Sequence, residues 1–280
     1  MITILKGVYP VLRACQMLGY PRSSYYYDPK VNEQEQHLQQ AIQSAAGEWP
    51  TYGYRRITCQ LNRQGWAVNH KRIYRLMGQM GIKRVKKAQK RHTTNSQHPF
   101  PRYPNLVQGL RITFPDQVWA SDITYIRLGK GFVYLAVIMD VFTRSIRGWN
   151  MSRSLDQKLT LLALQRALLE HKPMIHHSDQ GLQYAAIEYV ETLQKAGVKI
   201  SMAEIGEPTQ NGYAERLLRT IKEEEVNLSE YQDFQECFQN MDRFLNDVYM
   251  NKRIHSSLGY LTPVEFEYNW IRQNMPVEIK

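Results

Sequence analysis

Asp122, Asp179 and Glu215 are three carboxylates in unlike surroundings: Trp119-Ala120-Ser121-Asp122-Ile123-Thr124-Tyr125, His176-His177-Ser178-Asp179-Gln180-Gly181 and Asn211-Gly212-Tyr213-Ala214-Glu215-Arg216. Between the first two lie 56 residues, and between the last two 35. Carboxylates gathered from distant segments hold hard divalent cations, which take oxygen ligands and keep several waters. Two such ions about 3.5 to 4 Å apart activate a water or hydroxyl and stabilise the charge growing on a leaving oxygen, as phosphodiester cleavage requires. No protein nucleophile is then needed. Three bare acids at one point repel, so the site is expected to need metal before it is ordered. Singly, these acids have simpler uses: Asp122 and Asp179 as strand-end caps, and Glu215 as a negative charge at a helix N-terminus. Those uses leave the joint spacing unexplained. Glu204, Glu207 and the run Glu223-Glu224-Glu225 match neither the spacing nor the local settings and read as solvated surface.

The elements that must position the acids follow from pattern. Residues 118–128 and 132–142 read as strands rich in β-branched and aromatic side chains, joined by Gly129-Lys130-Gly131, and 143–152 can supply a third. Helices at 156–169 and 187–196 alternate with short strands at 174–177 and 199–202, and 211–228 is helical. This order describes a mixed α/β sheet flanked by helices. Asp122 falls within the first strand, Asp179 directly after the strand of His176 and His177, and Glu215 in the first turn of the last helix. Neighbouring strand residues point opposite ways, so at most one of the two histidines can face the acids. Packing or a supporting hydrogen bond suits them better than metal ligation.

Charge divides unevenly along the chain. Of the formal +10, residues 1–110 carry 17 Lys or Arg against 4 Asp or Glu, and residues 111–280 carry 19 against 22. A block this basic favours a polyanion through counterion release. Within it, residues 51–82 read as a helix-turn-helix. A helix at 54–63 has Ile57 and Leu61 on one face, and Gly65 allows the turn. A helix at 69–80 has Asn69 as N-cap and Ile73, Leu76, Met77 and Met80 as its apolar stripe. Arg55, Arg56, Lys71, Arg72 and Arg75 are its candidates for DNA contact. A polar helix at about 32–46 precedes it. The basic run at 83–91 is assigned phosphate contact only, and 93–110 is a linker. The expected division is therefore a basic helical region (1–92), the linker, an α/β core (111–228) and a helical C-terminal extension (229–280).

With 43% apolar residues the chain can bury a full core. Its longest apolar stretches, at 132–139 and 159–164, are too short to span a bilayer, and a cytoplasmic location is expected. Cys15, Cys59 and Cys237 form no CxxC pair and read as ordinary buried thiols.

From about Arg111 to Glu267 the chain resembles the retroviral-integrase-like catalytic core of DDE transposases, carried by the three acidic motifs quoted above. It is most similar to the OrfB-type transposases of the IS-three family of bacterial insertion sequences. The opening 15–27, the segment Tyr52-Gly53-Tyr54-Arg55-Arg56-Ile57 and the tail Asn251-Lys252-Arg253-Ile254-His255 share the resemblance. Ile254 stands where that tail commonly has Pro, which leaves the local turn open. The resemblance implies a ribonuclease-H-like fold and two Mg²⁺ or Mn²⁺ ions, with Asp122 bridging both and Asp179 and Glu215 completing one each. It implies that Lys222, two helical turns beyond Glu215, contacts DNA near the scissile phosphate, with Arg216 and Arg219 weaker candidates. The implied activity is metal-dependent hydrolysis of a phosphodiester at an element end, followed by transfer of the freed 3′-hydroxyl into DNA. The implied partners are double-stranded terminal repeats, target DNA and further copies of the chain. It also implies a longer frameshifted product, so this chain alone is expected to recognise terminal repeats weakly. Two rivals are a DNA-binding regulator without catalysis and a nuclease that never joins strands. A metal-dependent nicking assay tests the first, and a strand-transfer assay the second.

Overall fold

A computed structural model of the chain describes residues 9–26, 33–84, 102–204 and 207–274. The short helices α1 (Val11–Met17) and α2 (Arg22–Tyr25) come first, then α3 (Glu33–Glu48), α4 (Tyr54–Arg63) and α5 (His70–Gln79). Asn69 caps α5 as its sequence suggests, its Oδ1 accepting the Arg72 N–H at 2.9 Å. Leu38 and Ile42 of α3, Ile57 and Leu61 of α4, and Ile73, Leu76 and Met77 of α5 close one small core. Most of the basic run, from residue 85, and the linker up to 101 lie outside the described residues.

Five strands form the central sheet: β1 (Val118–Arg127), β2 (Phe132–Asp140), β3 (Ile146–Ser152), β4 (Ile175–Ser178) and β5 (Lys199–Met202), in the spatial order β3-β2-β1-β4-β5. The first three pair antiparallel through short turns, while β4 and β5 join parallel to β1. Parallel neighbours need crossovers, and these are the helices α6 (Gln157–Glu170) and α7 (Ile187–Lys195). Alternation sends Ile126, Leu135, Val137 and Met139 to one face and Trp119, Ala136 and Ile138 to the other. The second face is covered by α6 and α7 through Leu159, Leu164, Tyr189 and Leu193. Gly148 of β3 lets α6 lie against bare backbone, since a Cβ there would sit 2.3 Å from the Ala163 carbonyl oxygen. The first face is covered by α8 (Gly212–Glu224) and by α9 (Phe234–Arg243), which continues as a π-helical stretch at Phe244–Lys252. The last helix, α10 (Pro263–Asn274), opens with a reciprocal cap between Thr262 and Glu265.

Two findings depart from the sequence reading. Residues 105–106, expected in the linker, are tied to the core: Asn105 Nδ2 donates to Gln210 Oε1 at 2.7 Å and the Leu106 N–H to Ser201 Oγ at 2.8 Å. Glu224 and Glu225, expected as solvated surface, are enclosed. Glu225 accepts from the Tyr231 hydroxyl, and Glu224 accepts two bonds from buried Arg253, both at 2.7 Å. A run of three acids at a helix end reads as solvated only while its distant cation is unseen.

Arg253 belongs to a junction between the N-terminal helices and the C-terminal segment. Arg56 of α4 reaches Glu224 at 3.5 Å, and Arg63 pairs with Glu265 at 3.1 Å. Ile254 is fully buried in the core of α3, α4 and α5, and its N–H donates to the Tyr52 hydroxyl at 3.2 Å. A proline there would offer no such donor.

Candidate active site

Asp122 and Asp179 are set by one register. The pairing of β1 with β4 runs from Val118↔Ile175 to Ala120↔His177 and stops. Asp122 and Asp179 each lie two residues beyond that last pair. The side-chain period of a strand is two, so both acids leave the parting strands at the same level and on the same side. Asp122 Oδ1 accepts the Ile123 N–H at 2.7 Å, and Asp179 Oδ1 accepts the Gly181 N–H at 3.0 Å.

Glu215 arrives on α8, whose N-terminus is pinned beside Asp122. Asn211, the residue before the helix, donates from Nδ2 to the Ser121 carbonyl at 3.2 Å. His177 bridges Ser201 Oγ at 2.8 Å and the Gln210 carbonyl at 3.1 Å. Its partner His176 points the other way, 2.9 Å from the Tyr189 hydroxyl. Burial lowers both imidazoles below their ordinary range, His176 to about 3, so both stay neutral and serve packing and hydrogen bonding. The expectation that they are not ligands agrees with these partners.

The electrostatics record the convergence. The Asp122 carboxyl is pushed up to about 8, first by burial, then by the Asp179 charge and, less, by Glu215, against relief from the Ile123 N–H and Lys222. Burial lowers the Lys222 ammonium below its ordinary value while Asp122 holds it up. Lys222 Nζ stands 5.2 Å from the Tyr125 ring centroid, so it bridges the acid and an aromatic face. The three acids are not a tight cage for one ion. Among the described residues, the cluster of three possible ligands whose ligand atoms all lie within 4.8 Å of one another is Asp116, His171 and Glu267. A guanidinium already fills that cluster: Arg147 meets Asp116 at 2.8 Å and Glu267 at 2.6 Å. Asn211 Oδ1, buried beside Asp122's strand, finds no donor among the described residues, and a metal-bound water would satisfy it.

Models of an integrase core domain match residues 113–208 and 196–263, the first containing Asp122 and Asp179 and the second Glu215, and a model of an HTH-like domain matches 33–91. The uncharacterized 31 kDa protein of insertion element IS600 from Shigella sonnei is 34% identical over 262 residues, 90% of this chain and 96% of that one. The transposase for insertion sequence element IS904 from Lactococcus lactis is 36% identical over 223 residues, 78% of this chain and 88% of that one. The chain belongs to the insertion-sequence transposases with an integrase core. Its fold is the integrase-like ribonuclease H fold, joined to a helix-turn-helix-like unit. The HTLV-2 integrase catalytic core domain in complex with magnesium is 21% identical, covering 56% of this chain and 99% of that one, at a TM-score of 0.44.

The transposase spreads its other expected DNA contacts unevenly. Arg219 and Arg216 are exposed on α8, and Lys222 is half-buried at the acids. Arg55 and Lys71 are exposed. Arg72 and Arg75 both pair with Glu35 of α3, at 3.7 and 3.1 Å. Arg56 lies over the Tyr52 ring and against Glu224, an internal position that competes with a DNA contact. The reading of the sequence missed Asn211 as the strut of α8 and Glu224 as its anchor. Neither carries a local signal, because their partners are 90 and 29 residues away. Among the described residues no helix is long and apolar enough to cross a membrane.

Proposed function

We propose that this transposase works through Asp122, Asp179 and Glu215, holding two Mg²⁺ or Mn²⁺ ions where β4 ends beside the middle of β1. It hydrolyses a phosphodiester at the ends of its element and joins the freed 3′-hydroxyl to target DNA. The observation that carries this reading is the convergence of three acids, one within β1, one just past the end of β4 and one on α8, which leaves the Asp122 carboxyl raised to about 8 by burial and its two acidic neighbours. Bound there, the ions would supply an activated water or hydroxyl and charge stabilisation at the leaving oxygen. The residues supply the rest. Asp122 would be the ligand shared by both ions, and Asp179 and Glu215 would each complete the set around one of them. Lys222 offers a cation to a phosphate next to the scissile one, and Tyr125 fixes its reach. The Asn211 and His177 contacts hold α8, so Glu215 needs little rearrangement when DNA binds.

The similarity to OrfB-type products of the IS-three family, carried by the 52–57 and 251–255 motifs, supports assignment to that type, with double-stranded terminal repeats and target DNA as partners, several copies acting together, and the cytoplasm as the place of action. The domain division given above is part of the same proposal, with residues 105–106 moved from the linker to the core. Alanine at Asp122, Asp179 or Glu215 is expected to abolish nicking and strand transfer on end-containing DNA with Mg²⁺, while the circular dichroism spectrum and binding to mixed-sequence duplex stay as in the parent. A triad variant with near-parental strand transfer would remove that residue from the site.

A further inference from the structure

Five basic residues in the helix-turn-helix could meet DNA, yet the fold engages three of them elsewhere. Arg56 is held by Glu224 and Tyr52, and Glu35 lies against both Arg72 and Arg75. What α5 turns outward is a different set. Ile73, Leu76 and Met77 face the core, so the opposite side of the helix carries Lys71, Tyr74 and Gly78 at spacings of three, four and seven, with Arg75 beside them. Tyr74 is 65% exposed, unusual for so large an aromatic side chain on a helix of a packed unit. It is not a loose ring. Its centroid lies 5.1 Å from that of Tyr54 in an edge-on contact, Tyr54 lies 6.3 Å from His70, and the Arg55 guanidinium stands 5.7 Å from the Tyr54 centroid. Arg55 Nε also donates to the Tyr54 hydroxyl at 3.2 Å. The result is a braced, solvent-facing row of Arg55, Tyr54, Tyr74 and His70 beside exposed Lys71.

Gly78 is the independent observation. Glycine weakens a helix relative to alanine. Here the backbone is not in the left-handed region, and an added Cβ would meet nothing within 4 Å. A surface approaching that side of α5 would meet bare backbone at Gly78 rather than a side chain.

We infer that the DNA-reading face of this transposase is the ridge Lys71–Tyr74–Gly78 with His70 and Arg55 at its flank, and that Arg56, Arg72 and Arg75 serve mainly to hold the unit together. The inference rests on the helix-turn-helix being the DNA-binding part of the chain and goes further by naming the residues that touch bases. In helix-turn-helix proteins the N-terminal residues of the second helix contact base edges in the major groove. His70, Lys71 and Tyr74 occupy that part of α5. A lysine suits the O6 and N7 acceptors of guanine, an exposed ring suits a thymine methyl group, and a glycine one turn later lets the helix sit close to the groove wall.

The test uses the full chain, a fluorescein-labelled mixed-sequence duplex and a randomised duplex library. Lys71→Ala and Tyr74→Ala should each weaken anisotropy-measured binding on the order of tenfold and relax the sequence enriched from the library. Gly78→Ala should weaken binding while keeping or raising the melting temperature, a combination that lost folding cannot produce. Arg72→Ala and Arg75→Ala should stay within about twofold for binding. The inference is overturned if the two arginine variants lose as much affinity as Lys71→Ala and Tyr74→Ala, or if Gly78→Ala binds like the parent. A parent chain that binds no duplex at low salt would overturn the DNA-binding reading of the whole unit, a separate result from a parent that binds through the wrong face.

Discussion

Single atoms set the candidate site, and Gly181 is the sharpest case. Its N–H donates to Asp179 Oδ1, and a Cβ in its place would lie 2.9 Å from the same oxygen. Gly181→Ala should therefore turn the Asp179 carboxylate, while the new methyl meets the buried Tyr184 ring only at an ordinary 3.5 Å. A misplacement of about 1 Å at a reacting centre can cost on the order of 100-fold in rate. Single-turnover cleavage is expected to fall by about one to two orders of magnitude, while the thermal unfolding midpoint moves little. Unchanged cleavage would show that Asp179 does not act from this position. The sequence made the three acids legible because each keeps distinctive neighbours in distinctive order. The strut from Asn211 to Ser121 was invisible, because an asparagine before a helix looks like a local cap whatever it reaches.

At the scale of elements, periodicity located nearly every strand and helix that builds the core: expected strands at 118–128 and 132–142 correspond to Val118–Arg127 and Phe132–Asp140, and the strand at 199–202 has the bounds expected for it. The π-helical continuation of α9 was not legible, since it preserves helical character while shifting the register. Nor was the tether at the far end of α8. Arg253 gives Glu224 two bonds at 2.7 Å, with only 4% and 8% of the two side chains exposed. Arg253→Ala leaves an enclosed carboxylate without its main partner, and removing one half of a buried pair costs about 3–5 kcal/mol. Chemical denaturation is the measurement. A loss below about 1 kcal/mol would mean that water reaches Glu224 and that the tether is weak.

For the whole molecule, the same junction makes stability depend on pH. His255 is buried, its ring nitrogens stand 3.1 and 3.2 Å from Arg253 Nη1, and burial followed by the charges of Arg253, Arg56 and Arg144 lowers it to about 2. The unfolded chain takes up that proton near pH 6.5 and the folded chain does not, so folding loses up to about 1.4 kcal/mol per pH unit from this group as pH falls below about 6.5. Asp122, raised to about 8, acts in the opposite sense, because the folded state keeps a proton that the unfolded state releases. Comparison with a variant isolates the histidine. Between pH 6.5 and 5, His255→Gln should shed less stability than the parent by up to about 2 kcal/mol, measured by denaturant titration at both pH values, and parallel losses would show that His255 is protonated in the fold. The charge split along the sequence foretold a basic N-terminal unit but not where that unit docks, because docking uses specific distant partners, Arg56 with Glu224, Arg63 with Glu265, and uncharged Tyr52 with Ile254, 202 residues apart. Because Ile254 plugs the core of the N-terminal helices, the recognition module of this chain is completed by residues from its opposite end. Chimeras that exchange only the first hundred or so residues between related elements would inherit a mismatched socket, so the segment around Ile254 would have to be exchanged with them.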